Sequence, residues 1–201
     1  MPFVKTDFSI PLSELRRESA PSKAQEIGGN NFRPVCLKCR VFEGPPGSAY
    51  AEFGGTKVLA RVYGPTDDPN GDSNAASLSV TVLSDEGGLL QCALMAATLA
   101  LADAEVLVLD VVVAAHVART PSGEWIVDPT SEQIVSGTSE CTLALMPNQN
   151  QIVCCDIRGG HVTSSQIDEF ITFATDKAMK LYPVLRKALL NTLSKENASS
   201  C

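Results

Sequence analysis

The stretch Gly47-Ser-Ala-Tyr-Ala-Glu-Phe-Gly-Gly-Thr-Lys-Val-Leu-Ala-Arg-Val-Tyr-Gly-Pro65 is the most informative part of this sequence. Two short runs flank the pair Gly54-Gly55, a pattern typical of a β-hairpin. In the second run alternate residues are apolar, so the predicted strand has two unlike faces. The apolar face comprises Val58, Ala60 and Val62, and the other face comprises Lys57, Leu59 and Arg61.

Outside this hairpin the sequence predicts further strands and two helices. Leu89–Ala102 is rich in Ala and Leu without a clear polar face, which predicts a buried helix. An apolar stripe that begins near Ser165 predicts a second helix, which Pro183 should kink or divide. The other predicted strands are Val35–Phe42, Ser77–Leu83, Val106–Val117, Trp125–Asp128, Cys141–Met146 and Gln151–Ile157.

The order strands, helix, strands, helix is typical of a single α+β domain. With 201 residues, 44% of them hydrophobic, the chain is long enough to bury one sizeable core. We expect an N-terminal arm at 1–30, the domain at 31–195 and a mobile tail at 196–201.

Charge is unevenly distributed along the chain. The formal net charge is −7, and Val62–Ala118 contains eight Asp and Glu residues but no Lys or Arg. A protein that binds nucleic acid by itself needs basic groups to neutralise phosphates. This distribution disfavours such a protein, whereas a subunit that shares a groove with partners is compatible with it.

Cysteines and histidines indicate little chemistry. Seven cysteines without a dense framework predict reduced thiols of an intracellular protein. Cys36 and Cys39 have half of a zinc-site spacing, but strand geometry places their thiols on opposite faces. His116 lies in an apolar strand and His161 in a loop, so neither predicts a catalyst.

Neither the first residues nor the apolar middle of the chain indicates a membrane. The N-terminus lacks the pattern of a signal peptide, and Leu89–Ala118 is interrupted by charged residues. The residues alone therefore predict a soluble intracellular α+β domain of unknown role.

Several landmarks resemble the RNase PH family and follow one another in that family's order. They are Phe32-Arg-Pro-Val35, the 47–65 stretch, Gly87-Gly88, Ala97–Asp103, Asp128-Pro-Thr130, Leu145-Met-Pro147 and Leu181-Tyr-Pro183. The resemblance covers roughly residues 30–195. It implies the RNase PH-like fold (ribosomal protein S5 domain 2-like), with a mixed sheet packed against helices.

The resemblance also implies where catalysis should occur in an active member. Such members degrade RNA from its 3′ end with phosphate, using two aspartates for a divalent metal and arginines for phosphate and RNA. Alignment on Asp128 and Met146-Pro147 places the aspartates at Ile134 and Glu140, and Thr66 stands where an Arg is usual. We therefore expect no catalytic residues, no metal and no cofactor.

A second departure lies between about residues 65 and 77. There the family has another strand, a basic stretch and a long helix, whereas Tyr63 and Ser77 are joined here by a short acidic linker. The domain is thus internally truncated, either by true divergence or in an isoform or gene model. We expect the loss to uncover apolar surface, chiefly on the Leu89–Ala102 helix.

The resemblance implies a non-catalytic subunit of a eukaryotic RNA exosome ring, with Asp128-Pro-Thr and Leu181–Leu185 most like the mRNA-transport type. Expected partners are other RNase PH-like subunits in a hetero-hexameric ring, the exosome cap subunits and threaded RNA, in nucleus, nucleolus and cytoplasm. Alternatives are a phosphorolytic 3′-5′ exoribonuclease, and a truncated isoform that binds ring partners without completing the ring. Four residues are candidates to line an RNA path: Arg33, Arg40, Lys57 and Arg61.

Overall fold

The computed structural model describes residues 31–66, 75–160 and 162–199, which form two antiparallel sheets and two helices. In chain order the elements are β1 (Val35–Cys39), β2 (Gly47–Phe53), β3 (Thr56–Thr66), β4 (Ala75–Ser84), α1 (Leu89–Asp103), β5 (Val113–Arg119), β6 (Trp125–Val127), β7 (Ser139–Met146), β8 (Gln151–Arg158) and α2 (Ser164–Ser199). The predicted arm at 1–30 and His161 lie outside the described residues. Of the helices in these ranges, none is long and apolar enough to cross a membrane.

The first sheet has the order β1-β2-β3-β4, and its register follows the alternation of the hairpin. Ala51 pairs with Val58 across β2 and β3, and both side chains are fully buried. Helix α1 packs on this face. The backbone of β2 approaches α1 so closely at Gly47 that a Cβ there would clash with Ala100 O. The predicted hairpin and its apolar face are confirmed.

Strand β4 pairs directly with β3, where the resemblance led us to expect a missing segment. The register runs from Lys57 opposite Ser84 to Thr66 opposite Ala75, with irregularities between Lys57 and Val58 and between Tyr63 and Thr66. The backbone of β3 is therefore paired, and β4 forms the edge of the sheet. Its residues on the α1 side, Leu78, Val80 and Val82, remain 41–47% exposed.

The second sheet has the order β6-β5-β7-β8 and packs against α2. The apolar stripe of α2 is buried largely as predicted, through Phe170, Ala174, Ala178, Leu181 and Leu185. At the N-terminal end of the stripe Trp125 lies edge-on to Phe170, with ring centroids 4.8 Å apart. The same ring stacks on Phe173, with centroids 4.4 Å apart.

Three expectations about the elements are wrong. Every strand pairing in the described residues is antiparallel, so the sheet is not mixed. Pro183 does not divide α2, which runs as one helix from Ser164 to Ser199, so of the two expected effects only a kink stays a prediction. The predicted strand Val106–Val117 begins only at Val113, because residues 106–112 form a loop.

Asp110 accounts for the course of that loop. Its carboxylate accepts hydrogen bonds from Asn148 N at 2.7 Å and Gln149 N at 3.1 Å, which ties the loop to the β7–β8 turn. Leu107 is fully exposed and Leu109 is 89% exposed. Their hydrophobic character favoured a strand in the sequence, but no sheet face covers them here.

Candidate functional site: an acid-lined cleft and a basic hairpin

A cleft of about 650 Å³ lies where the end of β4, the start of α1 and the second sheet meet. Both positions at which the resemblance placed catalytic aspartates, Ile134 and Glu140, line it. The other lining residues are Val82, Asp85, Gly87, Gly88, Leu89, Leu90, Ala93, His116, Ser131, Thr142, Asp156 and Arg158. The two positions that the resemblance singled out through Asp128 and Met146-Pro147 therefore lie in one cleft.

The polar wall of the cleft is built by strand register. Glu140 lies opposite Arg158 and Thr142 opposite Asp156 across β7 and β8, while His116 of β5 lies opposite Thr142. Directly opposed residues on antiparallel strands share one face, so these five side chains meet on one side of the sheet. Their convergence was missed from the sequence, because it depends on pairings between three strands.

His116 lies at the back of this wall and is only 5% exposed. Its Nδ1 is 2.8 Å from Thr142 Oγ1, and its Nε2 is 3.5 Å from Glu140 Oε2 without a hydrogen-bond partner. Burial lowers the pKa of His116 below its ordinary value of 6.5, against the opposing effect of the Glu140 carboxylate. The imidazole is therefore neutral at pH 7.

The residues present do not fit the divalent metal that the resemblance associates with this site. Ile134 offers a hydrocarbon side chain where a carboxylate is needed. In the part of the chain that the structure describes, no three or more His, Cys, Asp or Glu side chains are placed to hold a metal ion. Of the described residues that line the cleft, Arg158 is the one permanent cation, and its Nη2 lies 2.6 Å from Asp156 Oδ2.

Arg33, which was nominated for an RNA path, lies beside the cleft in a buried ion pair. Its Nε and Nη2 donate to the Asp128 carboxylate at 2.8 and 2.7 Å, and Nη2 also donates to Gly87 O at 2.9 Å. The Arg33 side chain is 10% exposed and that of Asp128 is fully buried. The Arg33 guanidinium therefore uses Nε and Nη2 to hold Asp128 and the turn that precedes α1.

The other nominated residues lie on or near the first hairpin. Lys57 is 3.6 Å from Glu52, and the guanidinium of Arg61 lies 4.3 Å above the ring of Phe42. Arg40 extends to Asp103 at the end of α1, at 3.4 Å, and its side chain is 48% exposed.

Lys38 is an exposed base of β1 that we did not nominate. It pairs with Tyr50, which in turn lies opposite Leu59, so Lys38 shares the outer face of the sheet with Lys57 and Arg61. The alternation of side chains along β1 is the sequence signal that could have identified Lys38.

The six described cysteines are free thiols. Cys36 and Cys39 belong to alternate faces of β1, as predicted, and both are unpaired thiols. Burial raises the pKa of Cys39 to about 11 and that of Cys92 to about 12. Both remain protonated at neutral pH and are poor nucleophiles and metal ligands.

Comparison with known proteins agrees with this architecture. Residues 31–81 match the model of the 3′ exoribonuclease family, domain 1 (RNase PH). The crystal structure of rice (Oryza sativa) Rrp46 superimposes with a TM-score of 0.68 at 20% identity, covering 80% of this chain and 96% of that one. An archaeal exosome core chain gives a TM-score of 0.62 at 19% identity, covering 87% and 94%. These structural likenesses show that the chain has the RNase PH-like fold.

Two proteins that are similar to this chain over most of its length are exosome components. The human (Homo sapiens) exosome complex component MTR3 is 25% identical over 235 residues, covering 84% of this chain and 86% of its own length. The Pyrococcus furiosus exosome complex component Rrp41 is 25% identical over 211 residues, covering 79% and 84%. Both alignments are longer than this 201-residue chain, so each relative has residues that face gaps in it.

Proposed function

We propose that this chain is a non-catalytic subunit of an RNA exosome ring, which supports 3′-to-5′ RNA processing without cleaving RNA itself. The likeness to exosome components over more than three quarters of the chain supports the ring assignment. The observation that carries the non-catalytic assignment is Ile134 in the cleft, beside a wall with more acids than bases. Phosphoryl transfer needs positive charge around the developing anion, and this wall supplies the opposite.

In this proposal RNA passes over the outer face of the β2–β3 hairpin within the ring. Lys57 and Arg61 share one face of β3, and Lys38 of β1 extends that face. Phosphate contacts by such residues bind RNA without reading its sequence. This is suited to threading, in which every sequence must pass. Arg40 belongs to the same proposal at the margin of the hairpin, whereas Arg33 does not.

The direct test is reconstitution with the neighbouring ring and cap subunits. The assembled ring should protect a stretch of RNA from nucleases. Arg61→Glu should shorten that stretch or reduce its protection more than the control Lys187→Glu, which changes an exposed base on α2. Equal effects of both substitutions would remove the hairpin from the RNA path. Phosphate-dependent release of nucleoside diphosphates that is lost in Glu140→Gln would instead establish a phosphorolytic enzyme.

A second candidate is a truncated isoform that binds ring partners without completing the ring. Relatives with residues that face gaps in this chain, and the exposed edge strand β4, favour it. In this proposal the family's strand and helix are lost between Pro65 and Ser77. The genomic locus shows whether codons for this segment exist. The measured mass of the reconstituted complex distinguishes a complete ring from an open one.

The cellular setting follows from the same proposal. A ring subunit that serves ribosomal RNA maturation and messenger RNA turnover would be found in nucleus, nucleolus and cytoplasm. Imaging of a tagged chain with a nucleolar marker tests this, and exclusion from all nuclear compartments would contradict it.

A further inference from the structure

The cleft carries the wrong charge for phosphate. Three carboxylates line it, those of Asp85, Glu140 and Asp156, against the single guanidinium of Arg158. Arg158 is already paired with Asp156, and its side chain is 69% exposed and directed to solvent. An anion that entered would meet a net negative wall, whereas a cation would be attracted.

The remaining walls of the cleft are hydrocarbon. Val82 of the edge strand, Leu89, Leu90 and Ala93 of α1, and Ile134 all line the cavity. A cavity with apolar sides and carboxylates at one wall is matched to an amphipathic cation, whose stem packs on hydrocarbon while its head reaches the charge. Hydrated metal ions and free phosphate lack such a stem.

An unpartnered acceptor in the wall indicates the kind of head group. His116 is 95% buried and neutral, and in the tautomer that donates Nδ1–H to Thr142 its Nε2 is a bare acceptor. This nitrogen has no hydrogen-bond partner and lies 3.5 Å from a second acceptor, Glu140 Oε2. In that tautomer Nε2 and Glu140 Oε2 are two adjacent acceptors, and they suit the planar fork of a guanidinium, which donates from neighbouring nitrogens.

We propose that this cleft binds an arginine side chain of a partner polypeptide, with Glu140 as the counter-ion and the apolar walls holding the arginine stem. The site is a recognition pocket for protein, in the place where the RNase PH resemblance implied chemistry on RNA. Binding requires neither an assembled ring nor RNA. The purified chain alone therefore tests this proposal, independently of the proposed exosome function.

The test is a titration of the full chain with N-acetyl-argininamide, followed by NMR of the Ile134 and Thr142 methyl groups. N-acetyl-citrullinamide has the same shape without the charge and serves as the matched ligand. Saturable shifts are expected with the arginine compound, with citrulline at least tenfold weaker. Equal binding of the two compounds, or tighter binding of inorganic phosphate at the same methyl groups, would overturn the proposal.

Two variants identify the residues responsible. Glu140→Gln keeps the size of the side chain and should weaken binding at least tenfold. Glu124→Gln, at an exposed carboxylate in the β5–β6 turn outside the cleft, should leave binding unchanged. Asp156→Asn is a second cleft variant, for which a smaller loss is expected because Arg158 already neutralises that carboxylate. Unchanged affinity in both cleft variants would refute the assignment.

Discussion

The buried pair of Arg33 and Asp128 gives the sharpest test of how this fold is held together. The two residues are 95 positions apart in sequence, and their ion pair joins the chain before β1 to the loop after β6. Arg33 also donates to Gly87 O, which fixes the turn into α1. Asp128 itself has a φ of 51°, a left-handed conformation that Asn also tolerates. Asp128→Asn therefore removes the charge with little backbone strain.

The expected cost follows from burial. Removing one partner of a buried ion pair leaves an uncompensated charge and costs about 3–5 kcal/mol. That is a large share of the roughly 5–15 kcal/mol by which a domain is stable. A matched control is Asp176→Asn, because Asp176 pairs with Lys180 at 2.8 Å, similar to the 2.7 Å of the buried pair. Both control side chains are 59% exposed, so this change should cost about 0–1 kcal/mol.

Urea unfolding, monitored by circular dichroism, measures both variants. With a slope of about 2 kcal/mol per molar urea, Asp128→Asn should lower the midpoint by roughly 2 M and Asp176→Asn by less than roughly 0.5 M. The double variant Arg33→Met with Asp128→Asn should recover part of the loss, since no buried charge remains. Equal costs for the two Asp→Asn variants would refute the reasoning that burial sets the value of this pair.

Three further perturbations probe the core, the edge strand and the cleft. Leu99→Ala, at a fully buried residue of α1, should cost about 2–5 kcal/mol in urea unfolding, while Leu107→Ala, at a fully exposed one, should cost almost nothing. Val80→Lys on β4 should reduce fluorescence of a bound hydrophobic dye and slow aggregation, whereas Ser79→Lys on the opposite face should change dye binding little. Because burial holds the pKa of His116 below 6.5, the unfolded chain binds more protons as the pH falls through that value, so stability should fall below about pH 6.5. Between pH 7 and 5.5, His116→Gln should flatten this dependence.

Local pattern predicted the hairpin and the helices because each depends on neighbours in sequence. The alternation after Gly54-Gly55 fixes which residues of β3 face α1, and the observed register follows it. The same reasoning failed for residues 106–112, since β-branched composition does not reveal whether a sheet is available to receive the strand. There the carboxylate of Asp110 binds a distant turn and holds a loop instead.

In the candidate site, too, some residues could be found from the sequence and others depend on distant strand pairings. The resemblance to the RNase PH family, anchored on Asp128 and Met146-Pro147, singled out Ile134 and Glu140, and both line the cleft. The partners that give the cleft its character, His116 and Asp156, come from strands whose pairing no local pattern encodes. The burial of Arg33 was missed for the same reason, because an exposed base and a buried one look alike in sequence until the acid that pairs with the buried one is known.

Strand β4 shows how this domain accommodates the segment that we propose it has lost. Its hydrogen bonds to β3 satisfy backbone groups that would otherwise cost about 1–3 kcal/mol each when buried without a partner. What the pairing does not restore is cover for side chains. Leu78, Val80 and Val82 face the α1 side and remain more than 40% exposed, on an edge strand with no Lys, Arg or Pro to block further pairing. The uncovered apolar side chains of the first sheet therefore lie on β4, whereas Met95 and Leu99 of α1 are fully buried.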